Sequence, residues 1–329
     1  DWAIYWHHRE EFQQADDLLN RSTKLRRKLA KEHPSIPSYR YRLAIVYQNV
    51  GFALMMKGQF EKARNSFREA LDMLEVLARD YPDVPNYRAS LGNTGNMFAY
   101  TLSNSAGDDA AQAAYESARQ HYLELLRLEP DNAVRLSELA SLLNNLSQLH
   151  YRKEDYQQTV TVAREAITHQ NKARQADMSN TQFISQLSSH YSMLARGLNR
   201  LTDRTSALEA YDQAVTLMKQ LLEQDPTRGH YRASLGGTYH NMSRIAAEME
   251  DYPRAEALVR EAIAQSLLAN QKLPDDVKVL TNLRRHYAML THVLRNTDRS
   301  EEVSEVYSRA IEFAEQATNR TNSDDDRKM

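Results

Sequence analysis

Hydrophobic positions recur along this 329-residue chain at helical spacing, and the pattern itself repeats. Within residues 35–82, Leu43, Tyr47, Val50 and Leu54 share one face of a first segment. Phe60, Ala63, Phe67, Ala70, Leu71, Leu74 and Leu77 share one face of a second. The spacing predicts two amphipathic helices of about 20 residues, each about 30 Å long. Gly58 stands where the first should stop, and Asp251-Tyr252-Pro253 marks the start of a second helix in a later stretch. Each stretch therefore reads as an antiparallel helix pair.

The stretches are spaced by 48 residues: Leu43, Leu91, Leu139, Leu187, Leu235 and Leu283 follow without exception, as do Ala70, Ala118, Ala166, Ala214, Ala262 and Ala310. A proline marks the joint at Pro34, Pro82, Pro130, Pro226 and Pro274, with Met178 in the remaining place. An unslipped period of this length means stacked, superimposable supersecondary units, and hence a right-handed all-α solenoid. The expected division is a truncated leading repeat at 1–34, six repeats at 35–82, 83–130, 131–178, 179–226, 227–274 and 275–318, and a polar, disordered tail at 319–329. Stepping back 48 residues from Val50, Gly51 and Leu54 lands on Trp2, Ala3 and Trp6, so the sequence is expected to open midway through a first helix.

Tyr47-x2-Val50-Gly51-x2-Leu54 followed by Ala63-x3-Phe67-x2-Ala70 resembles the tetratricopeptide repeat pattern in a long form, with both helices extended. The Gly51 column stays small (Ala99, Ser147, Ala195, Ser243, Thr291), as does most of the Ala63 column (Ala111, Thr159, Ala207, Ala255), so the paired helices can approach closely. The long form, with its HPSIPSYR and YPDVPNYR joints, is similar to the C-terminal repeat arrays of planctomycete-type bacterial serine/threonine protein kinases. That resemblance implies a docking, oligomerising or regulatory arm of a larger signalling protein. Tyr39-Arg40, Tyr87-Arg88 and Tyr231-Arg232 follow the joints and are expected to pack the extended helix starts.

Composition removes several functions. Forty-two Lys and Arg balance 44 Asp and Glu, so no global basic field draws the chain to nucleic acid or anionic lipid. There is no cysteine for a disulfide or thiolate chemistry. The longest apolar run is too short to span a bilayer, and the expected location is the cytoplasm. No phosphate loop, kinase catalytic motif, nucleophile elbow or H-E-x-x-H metal motif occurs, so neither enzymatic activity nor a cofactor is expected of this chain. The eleven histidines, including the pair His286 and His292, lack metal-ligand spacing and read as ordinary helix-face residues.

The expected function is a non-catalytic scaffold that holds a peptide segment in a concave groove lined by the first helix of each repeat. One column there runs Asn49, Met97, Asn145, Met193, Asn241, Met289, and its neighbour runs Gln48, Asn96, Asn144, Ser192, His240, Ala288. Spaced amides can bind both N–H and C=O of an extended main chain, or can merely bridge adjacent repeats. Arg196, Arg200, Arg244 and Arg285 add guanidinium groups over the later repeats, which suits an acidic partner or one with a free C-terminus. Self-association through the leading half-repeat and ligand sensing are the rival functions.

Overall fold

The computed structural model describes the backbone of residues 9–326 and the side chains of residues 21–299 and 301–321. Trp2, Ala3 and Trp6, on which the expected half-helix rests, lie outside them. The described residues form thirteen α-helices and no strand. The leading helix is α1 (Arg9–Glu32). It is followed by twelve helices, which alternate along the chain as the first and second helix of each repeat: α2 (Pro37–Met56) and α3 (Phe60–Asp80), α4 (Pro85–Ser103) and α5 (Asp108–Leu128), α6 (Ala133–Arg152) and α7 (Tyr156–Ala176), α8 (Thr181–Arg200) and α9 (Arg204–Gln224), α10 (Gly229–Glu248) and α11 (Tyr252–Lys272), and α12 (Val277–Arg295) and α13 (Ser300–Asp326). The chain divides into two compact units, Asp1–Asp155 and Tyr156–Met329.

Five of the first helices start with one of two devices. α2 and α4 open on Pro37 and Pro85, whose missing N–H belongs among the unbonded donors of a first turn. α6, α8 and α12 open on Asn132, Asn180 and Asp276, whose side chains accept from the first-turn N–H groups. The joint arginines secure this geometry from outside: Arg40 Nη2 donates to the Pro34 carbonyl at 2.8 Å and Arg232 Nη2 to that of Pro226 at 3.2 Å. The tyrosines pack locally, Tyr87 lying 5.0 Å from Tyr41 and 6.2 Å from Tyr81 between ring centroids.

In five of the six repeats the chain turns between the helices through a left-handed residue at one fixed column: Gly58 (φ 71°), Glu154 (φ 61°), Thr202 (φ 63°), Glu250 (φ 60°) and Asp298 (φ 54°). The following N–H reaches back to the helix end, as in Gln59 to Leu54 at 2.9 Å and Asp203 to Leu198 at 3.0 Å, closing the last carbonyls. Only the first of these positions is glycine, so the others carry backbone strain, most of all β-branched Thr202. Thr202→Gly is expected to stabilise the chain by about 0.5–1 kcal/mol, read as a shift of the urea midpoint.

Small residues set the approach within pairs. In the first unit a Cβ on Gly51 would sit 2.7 Å from the ring of Phe67, which is fully buried. Ala99, Ala195 and Ser243 in the same column are also fully buried, as are Ala63, Ala111, Ala207 and Ala255 in the facing column; Ser147 and Thr159 are fully buried in their own units. Ser243 Oγ donates to the Ala255 carbonyl at 2.7 Å, so α10 and α11 touch through this pair of columns. The first unit's core continues through Leu74, Leu77, Tyr115, Tyr122 and Leu125, and the second unit's through Leu187, Tyr211, Leu221, Leu235 and Met242.

Successive repeats are joined at their rims by polar pairs. Arg152 Nη2 meets Asp108 Oδ1 at 2.6 Å and Lys153 Nζ meets Asp109 Oδ1 at 2.6 Å in the first unit. In the second, Arg200 Nη2 donates to Tyr156 Oη at 2.6 Å, Arg204 Nε lies 3.6 Å from Glu248 Oε2, and Arg299 Nη1 lies 2.7 Å from Glu256 Oε2. The first four link the start of a second helix to the end of the next first helix, and Arg299, just before α13, links to the start of α11.

One expectation is corrected at the C-terminus. Residues 319–326, expected to be a disordered tail, continue α13 to Asp326, because the polar run contains no Gly or Pro to stop a helix. Residues 327–329 lie outside the described residues.

Candidate functional site

The first helices lie side by side, α2 beside α4 beside α6 in the first unit and α10 beside α12 in the second. The amide column lies on these helices in the first unit and the arginines in the second. Asn49 is exposed on α2. Asn96 on α4 and Asn145 on α6 come together: Asn145 Nδ2 donates to Asn96 Oδ1 at 3.0 Å. The bridge leaves Asn96 Nδ2 and Asn145 Oδ1 without a protein partner. Asn144 does not join them; its Oδ1 is buried and unbonded. The amides thus bridge repeats in one instance, and the bridged pair keeps one donor and one acceptor uncommitted.

Beside this pair opens a cleft of about 140 Å³ lined by Tyr100, Ser103, Tyr115, Gln148 and Arg152 together with Asn145. Tyr115 is 2% exposed, and burial pushes its phenol well above the ordinary range, so it is a neutral donor. Arg152 is held by Asp108, and the cleft is close to charge-neutral.

In the second unit the predicted arginines separate into held and open groups. Arg200 is held: its guanidinium donates to Tyr156 and lies 4.8 Å from the ring centroid. Arg196 is half-buried, with Nη1 3.9 Å from Met193 Sδ. Arg244 Nε lies 3.7 Å from Glu248 Oε1, a carboxylate that Arg204 shares. Arg285 is exposed on α12, and Asn241 is half-buried on α10.

His240 stacks on His286, ring centroids 4.9 Å apart. Burial first, then Arg285 and Arg244, lower the His240 pKa to about 4. Burial, His240 and Arg285 lower that of His286 to about 3. Both rings are therefore neutral at pH 7. Sequence reasoning named His240 but set His286 aside as a helix-face residue. It is 1% exposed and belongs to the same cluster. The signal was the interval of 46 between them, two short of the period, which places them on neighbouring first helices. Among the described residues no group of three or more His, Asp or Glu residues could hold a metal ion.

Residues 44–73 match the tetratricopeptide repeat family model, and they span the α2–α3 pair with its Gly51 and Phe67. The chain carries a tetratricopeptide-like helical repeat array. Residues 110–251 also match the model of the plant-specific mitochondrial import receptor subunit TOM20. No curated protein matches. Among solved structures, BtubC (BKLC) from P. vanneervenii is similar with a TM-score of 0.57 and 17% identity, over 79% of this chain and 92% of that one. The apo form of RapI gives a TM-score of 0.62 at 12% identity, over 93% of this chain and 75% of that one. The S. pombe nuclear import adaptor Nro1 gives 0.58 at 10% identity, over 86% and 95%. These likenesses establish the repeat fold: an all-α solenoid. Arrays of this kind are generally non-catalytic and generally mediate protein–protein interaction. No described helix is long and apolar enough to cross a membrane.

Proposed function

We propose that the array is a binding scaffold whose first-helix faces hold an extended, acidic segment of a partner protein. The observation that carries the reading is the set of polar groups left open on those faces: Asn96 Nδ2 and Asn145 Oδ1 on the first unit, Arg285 beside His240 on the second. A donor and an acceptor on one bridged amide pair can meet the C=O and N–H of a passing peptide main chain, as an added strand would. Guanidinium groups farther along the chain select carboxylates. Through the resemblance of its long repeats to kinase-linked arrays, the chain acts as the docking or regulatory region of a larger cytoplasmic signalling protein.

The test compares capture from native lysate by the parent chain, by Asn96→Ala/Asn145→Ala and by Arg244→Glu/Arg285→Glu. Substitutions at these half-buried and exposed positions are expected to leave helicity and melting nearly unchanged. The reading requires the same partner to be lost or weakened at least about tenfold in each double variant, a change of about 1.4 kcal/mol. Partners retained equally by all three chains would assign the amides to repeat bridging and move recognition to another surface.

A further inference from the structure

The His240–His286 pair has a chemistry that the array does not require for packing. The rings come from α10 and α12, with their planes tilted by 40°. His286 Nε2 lies 3.1 Å from Ser266 Oγ on α11. Nδ1 of His286 and Nδ1 of His240 are both buried with no hydrogen-bond partner in the protein. The charged groups acting on the pair are Arg244 from α10 itself and Arg285 from α12. Glu248 on α10 lies 3.7 Å from Arg244 Nε, Lys219 on α9 lies 6.0 Å from the Tyr239 ring centroid, and Arg309 and Glu312 on α13 act on Tyr287.

Two buried imidazoles beside two guanidinium groups, with no carboxylate acting on them, stay neutral while the site is empty. A proton on either ring is opposed both by burial and by like charge. An anion laid against Arg244 and Arg285 removes the second obstacle and gives an imidazolium N–H an acceptor. Resting on the peptide-binding reading above, we propose that His240, His286, Arg244 and Arg285 form a subsite for a side-chain carboxylate of the bound segment, and that the imidazole pair takes up a solvent proton as the carboxylate arrives. The structure thus assigns His286, an inward-facing residue, to recognition, and it makes binding stronger in mild acid.

The probe is an N-acetylated, C-amidated hexaglutamate peptide, with the matching serine peptide as control, titrated calorimetrically into the full chain. Runs at pH 6.5 in buffers of different ionisation enthalpy are expected to report uptake of up to about one proton per peptide. Affinity should rise about tenfold between pH 7.5 and pH 5.5, following the linkage between proton uptake and binding. His240→Gln should abolish the proton uptake and the rise in affinity toward pH 5.5, and because it also removes one wall of the subsite it should weaken binding at pH 7.5. Should that variant fold poorly, the His240 ring Cε1–H resonance of the parent chain gives the same answer, its titration midpoint rising when the peptide binds. Hexaglutamate binding that is lost in Arg244→Glu/Arg285→Glu but shows no proton uptake and no shift in the midpoint would overturn the subsite and leave the scaffold reading intact. Binding equal to that of the serine peptide, or none across the pH range, would overturn both.

Discussion

Phe67→Ala is expected to destabilise the chain by about 3–5 kcal/mol, the cost of removing a fully buried aromatic ring and leaving a cavity. The ring sits against the backbone of Gly51, where an added Cβ would meet it at 2.7 Å. Gly51→Ala alone should therefore cost about 1–3 kcal/mol by overpacking, although alanine is the better helix former. In the Phe67→Ala background the same Gly51→Ala change should become neutral or stabilising, because its methyl group then enters space that the ring has vacated. Urea denaturation of the four chains gives the coupling energy between the two sites directly. Additive effects would mean that α2 and α3 are not held together through this contact.

The second large effect is acid lability in the neutral-to-mild range. His190, 2% exposed, has no hydrogen-bond partner on either ring nitrogen, and burial lowers its pKa from 6.5 to about 4. His240 is lowered to about 4 and His286 to about 3. A lowered histidine pKa means that the unfolded chain binds protons the folded chain refuses. The associated stability is complete above pH 6.5 and is lost as pH falls toward the folded values. If the full shifts are realised, His190 and His240 each account for a loss of about 3 kcal/mol and His286 for about 5 kcal/mol. The melting temperature should thus drop steeply between pH 6.5 and pH 4.5, before the stabilising carboxylates Glu256 and Asp225, whose pKa values are also lowered, begin to protonate. His190→Leu should flatten that slope by about one proton and be neutral or stabilising at pH 7.5, since it removes an unpaired buried polar group. A melting curve of the variant with the parent's pH slope would exclude His190 as a source.

What was legible in the sequence was whatever the period fixed. Leu43 and its equivalents, the Gly51 and Ala63 columns and the proline joints all report burial or turn geometry shared by every repeat, and a repeated constraint leaves a repeated residue. The helix pairs and the packing of Phe67 followed from them. The polar face was less legible, because its contacts run between repeats at intervals other than 48. Asn96 reaches Asn145 and Tyr41 reaches Ser90 at 49, whereas Arg152 reaches Asp108 and Arg200 reaches Tyr156 at 44. A column drawn at the period alone places Asn96 with Asn144, whose amide oxygen is buried, and separates it from the residue it touches. His286 was missed for the same reason. The tail was misread because polar composition argues against a core, not against continuing a helix that is already formed.

The rim pairs carry one more meaning. In Asp108–Arg152 and Asp109–Lys153 the acid stands at the start of a second helix and the base at the end of the next first helix; in Arg204–Glu248 the signs are exchanged. Units that share backbone geometry would otherwise be interchangeable, and a gene built of equal segments invites unequal crossing-over. Were residues 179–226 duplicated in tandem, Arg204 of the first copy would face Arg200 of the second, and a cation would replace the carboxylate it now meets. The backbone permits shuffling of segments, while the charges record the order in which they belong.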